Sequence, residues 1–498
     1  MDLQYEYDLV CIGSGPAGQR AAIQAAKMGR RVAVVDRSRE LGGACLRSAT
    51  IPSKTFREAV RSLTRETVLR AMSSVGMHRV RPRMQQLLSR VQQVAESEAS
   101  AVRDAFDRNE VDVLWGLAAF VDQHTIRLES PESTRTVRSS HFLIATGSRS
   151  ILPQGVRSDG ETVFTSDTIL QMAELPRTMT VVGAGVIGIE YASMFAAAGV
   201  QVTVLDKADR PVSFVDREIV DELVHQLRSH GVTFRLGEAV KGFEIQDGPP
   251  RRGAVVTQSG KRIASDVILI SAGRQGNVES LDLETVGIQA DERGRLKVDG
   301  FFRTSVPTIY AAGDVIGFPG LAATSYEQGR LAAAHMFGEA ARPMPEHYPY
   351  GIYSIPEIST VGASEEQLTE ACVPYEIGVA RYAETARGQI RGDEDGLLKL
   401  VFHRETRQLL GVHIIGSQAT ELIHIGQAVL KLGGGLDYFL ETVFNYPTYA
   451  ECYKAAALNA RNRLRTGASV DLTPPAAEPP AGAARPDGDS APPAPSAG

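Results

Sequence analysis

Residues 42–54, GGACLRSATIPSK, bring a thiol (Cys45), a hydroxyl (Thr50) and an amine (Lys54) into one short stretch. A redox role for Cys45 needs a second thiol, because disulfide exchange passes electrons between paired sulfurs. The other cysteines, Cys11, Cys372 and Cys452, are far off in sequence, and no Cys-x-x-Cys pair exists to hold a metal. Four scattered cysteines suit a reducing cytoplasm better than a disulfide framework.

A second chemistry is written in glycines. GSGPAGQRAAIQAAKMGRRVAVVD (13–36) and GAGVIGIEYASMFAAAGVQVTVLD (183–206) match each other 170 positions apart, with glycines at corresponding offsets and a terminal aspartate. Gly13 and Gly183 permit the tight turn out of a strand, and Gly15 and Gly185 let a pyrophosphate approach the backbone. Gly18 and Gly188 let helix and strand pack closely, while the helix N-terminus offers N–H groups to the phosphates. Asp36 and Asp206 can each accept a hydrogen bond from an adenosine ribose. Each copy follows an apolar run, YDLVCI or TMTVV, so strand, turn, helix, strand and acid recur together. The chain is therefore expected to bind two dinucleotides.

The elements that position these residues follow from the remaining pattern. Residues 56–110 read as polar helix, and FLIATGSRS (142–150), ASDVILISAGRQGN (264–277) and TIYAAGDVIG (308–317) each read as a strand delivered into a glycine turn. Residues 346–466 alternate strands such as LLKLVFH with helices such as ATELIHIGQAVLKL, an α+β pattern. The Pro/Ala/Gly-rich stretch 467–498 has almost nothing to bury and is expected to be disordered.

The 498 residues carry a net charge of −6, which gives no reason to expect nucleic acid or an anionic membrane as partner. The N-terminus is acidic where a signal peptide would be basic. The apolar run 179–199 is long enough to raise a membrane span, but its glycine spacing and Glu190 fit a buried strand–turn–helix.

Taken together, these motifs resemble the two-dinucleotide flavoprotein reductases, which include lipoamide dehydrogenase, glutathione reductase and mercuric reductase. The resemblance spans residues 5–466. It implies an α/β fold with two Rossmann-like domains and a C-terminal α+β dimerisation domain. The expected division is FAD-binding 1–150 with 272–345, NAD(P)-binding 151–271, dimerisation 346–466 and tail 467–498. For FAD it implies Gly13, Gly15, Gly18, Asp36, Arg37, Gly43, Cys45, Lys54, Thr146, Gly147, Arg274, Gly313 and Asp314. For NAD(P) it implies Gly183, Gly185, Gly188, Glu190, Asp206, Lys207, Arg210 and Gly273. IPSK (51–54) is similar to the family's flavin-flanking helix, with Lys54 paired to Glu190. Read from the residues, Glu190 sits in the first turn of its helix, where the dipole alone would favour it; that turn also faces a pyrophosphate, where a carboxylate is awkward without a cation.

Disulfide-reducing members of this family need Cys-x-x-x-x-Cys before IPSK, and here Thr50 occupies the second position. They also use a His before Pro near the C-terminus, with a Glu beyond it. FNYPTYAE (444–451) has Tyr446 at the His position and keeps Glu451. A phenol with a pKa near ~10 is a poor base at neutral pH. Recruitment of Cys372 or Cys452 in place of the missing thiol is the competing reading.

The rest of the pattern, including GRQGN, GDVIGFP, GIYSIPEIS, IHIGQA and FNYPT, resembles the family's pyridine nucleotide transhydrogenases. That implies FAD-dependent hydride transfer from NADPH to NAD⁺ by a ping-pong route, in a cytoplasmic homodimer without metal. Lys207 and Arg210 either offset the repulsion between Asp206 and a 2′-phosphate or form a solvated loop. His424 is expected to be a packed or interface histidine and Cys11 a core residue. The alternatives are an NAD(P)H diaphorase or quinone reductase on the same flavin, and an FAD-binding scaffold or redox sensor.

Overall fold

The computed structural model describes residues 5–73, 82–246, 248, 251–340 and 342–468. The expected tail lies, from residue 469 onward, outside the described residues.

The first glycine repeat folds as strand Tyr7–Ile12, helix Pro16–Lys27 and strand Val32–Asp36. Pro16 begins the helix, where its missing N–H costs nothing and its fixed φ is already helical. The strand VAVVD is buried along its whole length, as a parallel strand covered on both faces must be. It pairs parallel with Tyr7–Ile12, Leu9 facing Val32 and Ile12 facing Val35. The sheet continues through Thr134–Ile144 and Ile309–Ala311, so a strand from beyond residue 300 completes the first α/β unit. Cys11 lies in its core.

The second repeat builds the same arrangement: Thr178–Val182, helix Val186–Ala197 and Gln201–Asp206, flanked by Thr233–Leu236, Val267–Ile270 and Val163–Thr165 in one parallel sheet. Every residue from Gly188 to Ala196 is buried, which explains the membrane-like composition of this stretch. Among the described residues no helix is long and apolar enough to cross a membrane.

Residues C-terminal to these units form a five-stranded antiparallel sheet, ordered Tyr350–Ile352, Ile358–Gly362, Leu409–Ile415, Leu397–His403 and Tyr375–Arg381. Helices Ala419–Lys431 and Glu451–Ala468 cover it.

The polar helical region expected over 56–110 divides into Thr50–Ser73 and Met84–Arg108, and the first begins early enough to carry Thr50 and Lys54. Phe56 and Val60 of that helix share one apolar cluster with Ile189, Tyr191 and Phe195 of helix Val186–Ala197 and with Ile352 and Ile358. The Phe56 and Phe195 rings lie 5.6 Å apart. This core locks the two helices that bear Lys54 and Glu190.

Candidate functional site

The two glycine turns repeat in detail. Gly13 and Gly183 have φ of +114° and +107°, in the region that disfavours a side chain. A Cβ on Gly18 or Gly188 would stand 1.9 Å from the carbonyl oxygen of Gly13 or Gly183. A Cβ on Gly15 or Gly185 would meet nothing within 4 Å. The protein's own packing thus demands two glycines of each turn and leaves the third free for a ligand.

Asp36 and Asp206 close these turns in parallel fashion. Asp36 accepts from the Ser14 N–H at 3.0 Å and the Ser38 N–H at 2.9 Å; Asp206 accepts from Ala184 and Ala208 at 2.5 and 2.8 Å. The Ser14 hydroxyl also donates to Asp36 at 2.5 Å and accepts from the Gly42 N–H at 3.0 Å. Ser14 thereby ties the first turn to the Cys45 stretch, where a Cβ on Gly43 would touch the Gly15 Cα at 3.0 Å. Ser14 lies between two glycines at a position the glycine spacing does not specify, so the sequence carries no signal for it.

Both turns open into one cleft of about 990 Å³. Its lining takes in Gly13, Gly15, Asp36, Arg37, Gly43, Cys45, Thr50, Lys54, Thr146, Gly147, Gly185, Glu190, Arg274, Gly313 and Asp314. Gly18, Gly183 and Gly188 stand behind the turns as packing residues.

Within the cleft, Lys54 Nζ lies 2.8 and 3.0 Å from the two carboxylate oxygens of Glu190, which is buried. Glu190 also accepts the Tyr353 N–H at 2.8 Å, and Lys54 Nζ sits 4.9 Å from the centre of the Tyr353 ring. One carboxylate thus joins three distant segments. Glu190 is the fifth residue of its helix rather than a first-turn residue, so the helix dipole does not account for it. The cation does. Tyr353 lies in GIYSIPEIS, and no local spacing signals its contact 163 positions away.

Cys45 and Thr50 both line the cleft, and the Thr50 hydroxyl is close enough to act on the charge of the Cys45 sulfur. Burial pushes the Cys45 thiol above its ordinary pKa, against the lowering effect of the Thr50 hydroxyl. All four cysteines are free. Cys452 is buried in the C-terminal core and Cys372 is exposed beyond helix Glu365–Glu370.

Also in the lining, the Ser148 hydroxyl donates to Asp314 at 2.8 Å, and Arg274 donates to the Ser148 hydroxyl and carbonyl, both at 2.8 Å. Arg274 also bonds Asp167 at 3.2 Å, so its guanidinium is already anchored to protein. Gly313, at φ +83°, donates its N–H to Gln328 at 2.8 Å. Gly273, at φ +138°, is exposed and accepts from the Ile151 N–H.

Three observations fit a flavin dinucleotide to the cleft. The Thr146 hydroxyl is buried with no protein partner. Gly15 leaves open space at the N-terminus of helix Pro16–Lys27. Arg37 lies in the lining beside the first glycine turn, where it could meet a phosphate.

The remaining predicted residues stand elsewhere. Lys207 is exposed, while Arg210 donates to the Ser213 carbonyl at 2.6 Å and pairs with Glu366 at 3.6 Å. Arg210 is therefore not part of a freely solvated loop. Tyr446 is 74% exposed, and Glu451 accepts from the Thr448 N–H at 3.4 Å; neither lines the cleft of its own chain. His424 is exposed at the cleft, bonded to Gln427 at 2.8 Å, rather than packed in the interior.

Paired dinucleotide turns around one cleft, followed by a separate antiparallel domain, define the class. The chain belongs to the pyridine nucleotide-disulphide oxidoreductase family, which it matches over residues 7–329, with that family's dimerisation domain over residues 348–457. It is an oxidoreductase homologous to soluble pyridine nucleotide transhydrogenases. The protein so named from Mycobacterium bovis (strain BCG / Pasteur 1173P2) is 51% identical over 465 residues, covering 92% of this chain and 98% of that one. The one from Marinobacter nauticus is 43% identical over 468 residues, 93% and 99% of the two chains. Among solved structures, the HOCl-induced flavoprotein disulfide reductase RclA from Escherichia coli superposes with a TM-score of 0.82 at 27% identity, covering 91% of this chain and 99% of that one.

Proposed function

We propose that this protein transfers hydride from NADPH to NAD⁺ with FAD as its resident cofactor, by a ping-pong route and without a redox disulfide. The observation that carries this reading is the shared cleft: both dinucleotide turns open into it, and Cys45 is the sole cysteine in its lining. Bound there, FAD supplies a two-electron carrier that one pyridine nucleotide reduces and another reoxidises.

The chain's own residues bind, orient and exclude. The Gly13–Gly18 turn, Asp36, Arg37, Gly43, Cys45, Thr146, Gly147, Arg274, Gly313 and Asp314 hold FAD, and the Gly183–Gly188 turn with Asp206 and Gly273 holds the pyridine nucleotide. Lys54, fixed by Glu190 and Tyr353, keeps a positive charge at one place in the cleft without reorganisation during turnover. Thr50 fills the space of a second sulfur with a group that has no redox chemistry. Holding two nucleotides in turn at one site supplies the orientation that hydride transfer requires. Hydride passing between carriers needs no general base, which suits a phenol at Tyr446.

We further assign residues 1–150 with 272–345 to FAD binding, 151–271 to NAD(P) binding and 346–466 to dimerisation. Support comes from the two parallel sheets and from the matched dimerisation domain. In a homodimer, Tyr446 and Glu451 would approach the neighbouring subunit's cleft. The homologues' names describe soluble proteins, and we assign this one to the cytoplasm.

The test reduces flavin-loaded protein with NADPH anaerobically and then adds thio-NAD⁺. Rapid reoxidation with stoichiometric thio-NADH is expected. Reduced flavin that persists until a quinone is added would establish a diaphorase instead.

A further inference from the structure

We propose that Glu366, on the dimerisation domain, is a specificity-determining residue for the second nucleotide site: it holds Arg210 away from a 2′-phosphate and so tempers the preference for NADP(H) over NAD(H). The inference rests on the reading of Gly183–Asp206 as a pyridine nucleotide site.

Arg210 lies four residues beyond Asp206, in the loop joining the ribose-binding strand to helix Arg217–Ser229. With Lys207 it is one of two cations in this loop that could meet a 2′-phosphate, and its guanidinium is engaged elsewhere. One nitrogen donates to the Ser213 carbonyl at 2.6 Å, and another lies 3.6 Å from a Glu366 carboxylate oxygen. That same oxygen accepts the Arg217 N–H at 3.0 Å. Glu366 is thus pinned to the first turn of the next helix and cannot follow Arg210 outward.

The neighbouring pair reinforces this contact. Asp216 caps helix Arg217–Ser229 and is bound at 3.0 and 3.1 Å by Lys399, which is fully buried in the dimerisation sheet and also meets Glu218 and Glu365. The loop 207–216 is therefore clamped to the other domain at its far end, with Glu366 presented beside it.

A 2′-phosphate would compete with Glu366 for Arg210, with a bidentate phosphate contact replacing a half-exposed ion pair. An enzyme that must take NADPH and NAD⁺ at one site needs neither form to dominate. Asp206 disfavours the phosphate and Glu366 limits how far Arg210 can offset that.

The experiment compares 2′,5′-ADP and 5′-ADP binding by calorimetry to flavin-loaded wild type, Glu366→Gln, Arg210→Ala and the double variant. Glu366→Gln should tighten 2′,5′-ADP about two- to fivefold, the scale of one half-exposed ion pair, and change 5′-ADP by less than twofold. In the Arg210→Ala background the gain should vanish. Equal shifts for both ligands, or a gain that survives without Arg210, would overturn the inference and mark Glu366 as a structural contact. Failure of wild type to bind either ligand would overturn the underlying nucleotide-site reading instead.

Discussion

Lys54 Nζ and the Glu190 carboxylate meet at 2.8 Å across 136 positions of sequence, joining helix Thr50–Ser73 to helix Val186–Ala197. With Glu190 buried and Lys54 open on one side to the cleft, the pair carries both structural and chemical weight. Lys54→Met leaves the carboxylate with only the Tyr353 N–H, and should cost about 1–3 kcal/mol of stability, since the bond lost is to a charged group. Glu190→Gln, which keeps an acceptor for Tyr353, should cost less. Chemical denaturation orders the two, and stopped-flow reduction by NADPH should be slowed at least about tenfold in Lys54→Met, the low end for loss of a preorganised charge.

Gly15 and Gly18 are three residues apart and should behave oppositely. Gly18→Ala drives a Cβ to 1.9 Å from the Gly13 carbonyl oxygen and should destabilise the protein by about 3 kcal/mol or more. Gly15→Ala meets no atom and should leave apoprotein stability within about 1 kcal/mol. Its cost should appear as lost flavin, read from the absorbance of purified protein. Gly185→Ala should retain flavin and raise KM for both pyridine nucleotides.

Thr50→Cys would restore a sulfur opposite Cys45. Both side chains face the same cleft wall, so a disulfide between positions 45 and 50 is expected to form in the folded chain. The oxidised variant should lose two reagent-accessible thiols under denaturing conditions and regain them after NADPH. Turnover with lipoamide should stay near background, because Tyr446 supplies no imidazole.

Asp206 should discriminate between nucleotides. Asp206→Asn keeps an acceptor for the Ala184 N–H while removing the charge that repels a 2′-phosphate. NAD(H) should weaken more than NADP(H), and equal changes in the two KM values would remove Asp206 from the ribose.

His413 makes stability depend on pH. Its ring is buried between the Thr360 hydroxyl and the Ala363 carbonyl, and burial, opposed by Asp216, holds its pKa below the ordinary value. Above about pH 6.5 the ring is neutral in both folded and unfolded chains. Below that the unfolded chain takes up the proton first, so the contribution fades as pH falls towards the folded value, by at most about 1.4 kcal/mol per pH unit for one proton. His413→Gln should flatten the melting temperature between pH 6.5 and 5.5, measured by scanning calorimetry.

Much of this was legible in the chain itself. The duplicated glycine turns carry their own geometric reasons, because a turn that places Gly18 against the Gly13 carbonyl tolerates no other residue. The absence of a partner for Cys45 and the substitution at Tyr446 are matters of residue type and need no fold to be seen. Local spacing could not place Glu190 beyond the first turn, nor find Tyr353, Ser148 or Gln328, whose partners lie more than a helix away in sequence. What only the tertiary structure decided is which side chains share a charge: Glu190 with Lys54, Asp216 with Lys399, and Arg210 with Glu366. Such pairings depend on how sheets and helices pack across domains, and a repeating pattern along one segment carries no record of them.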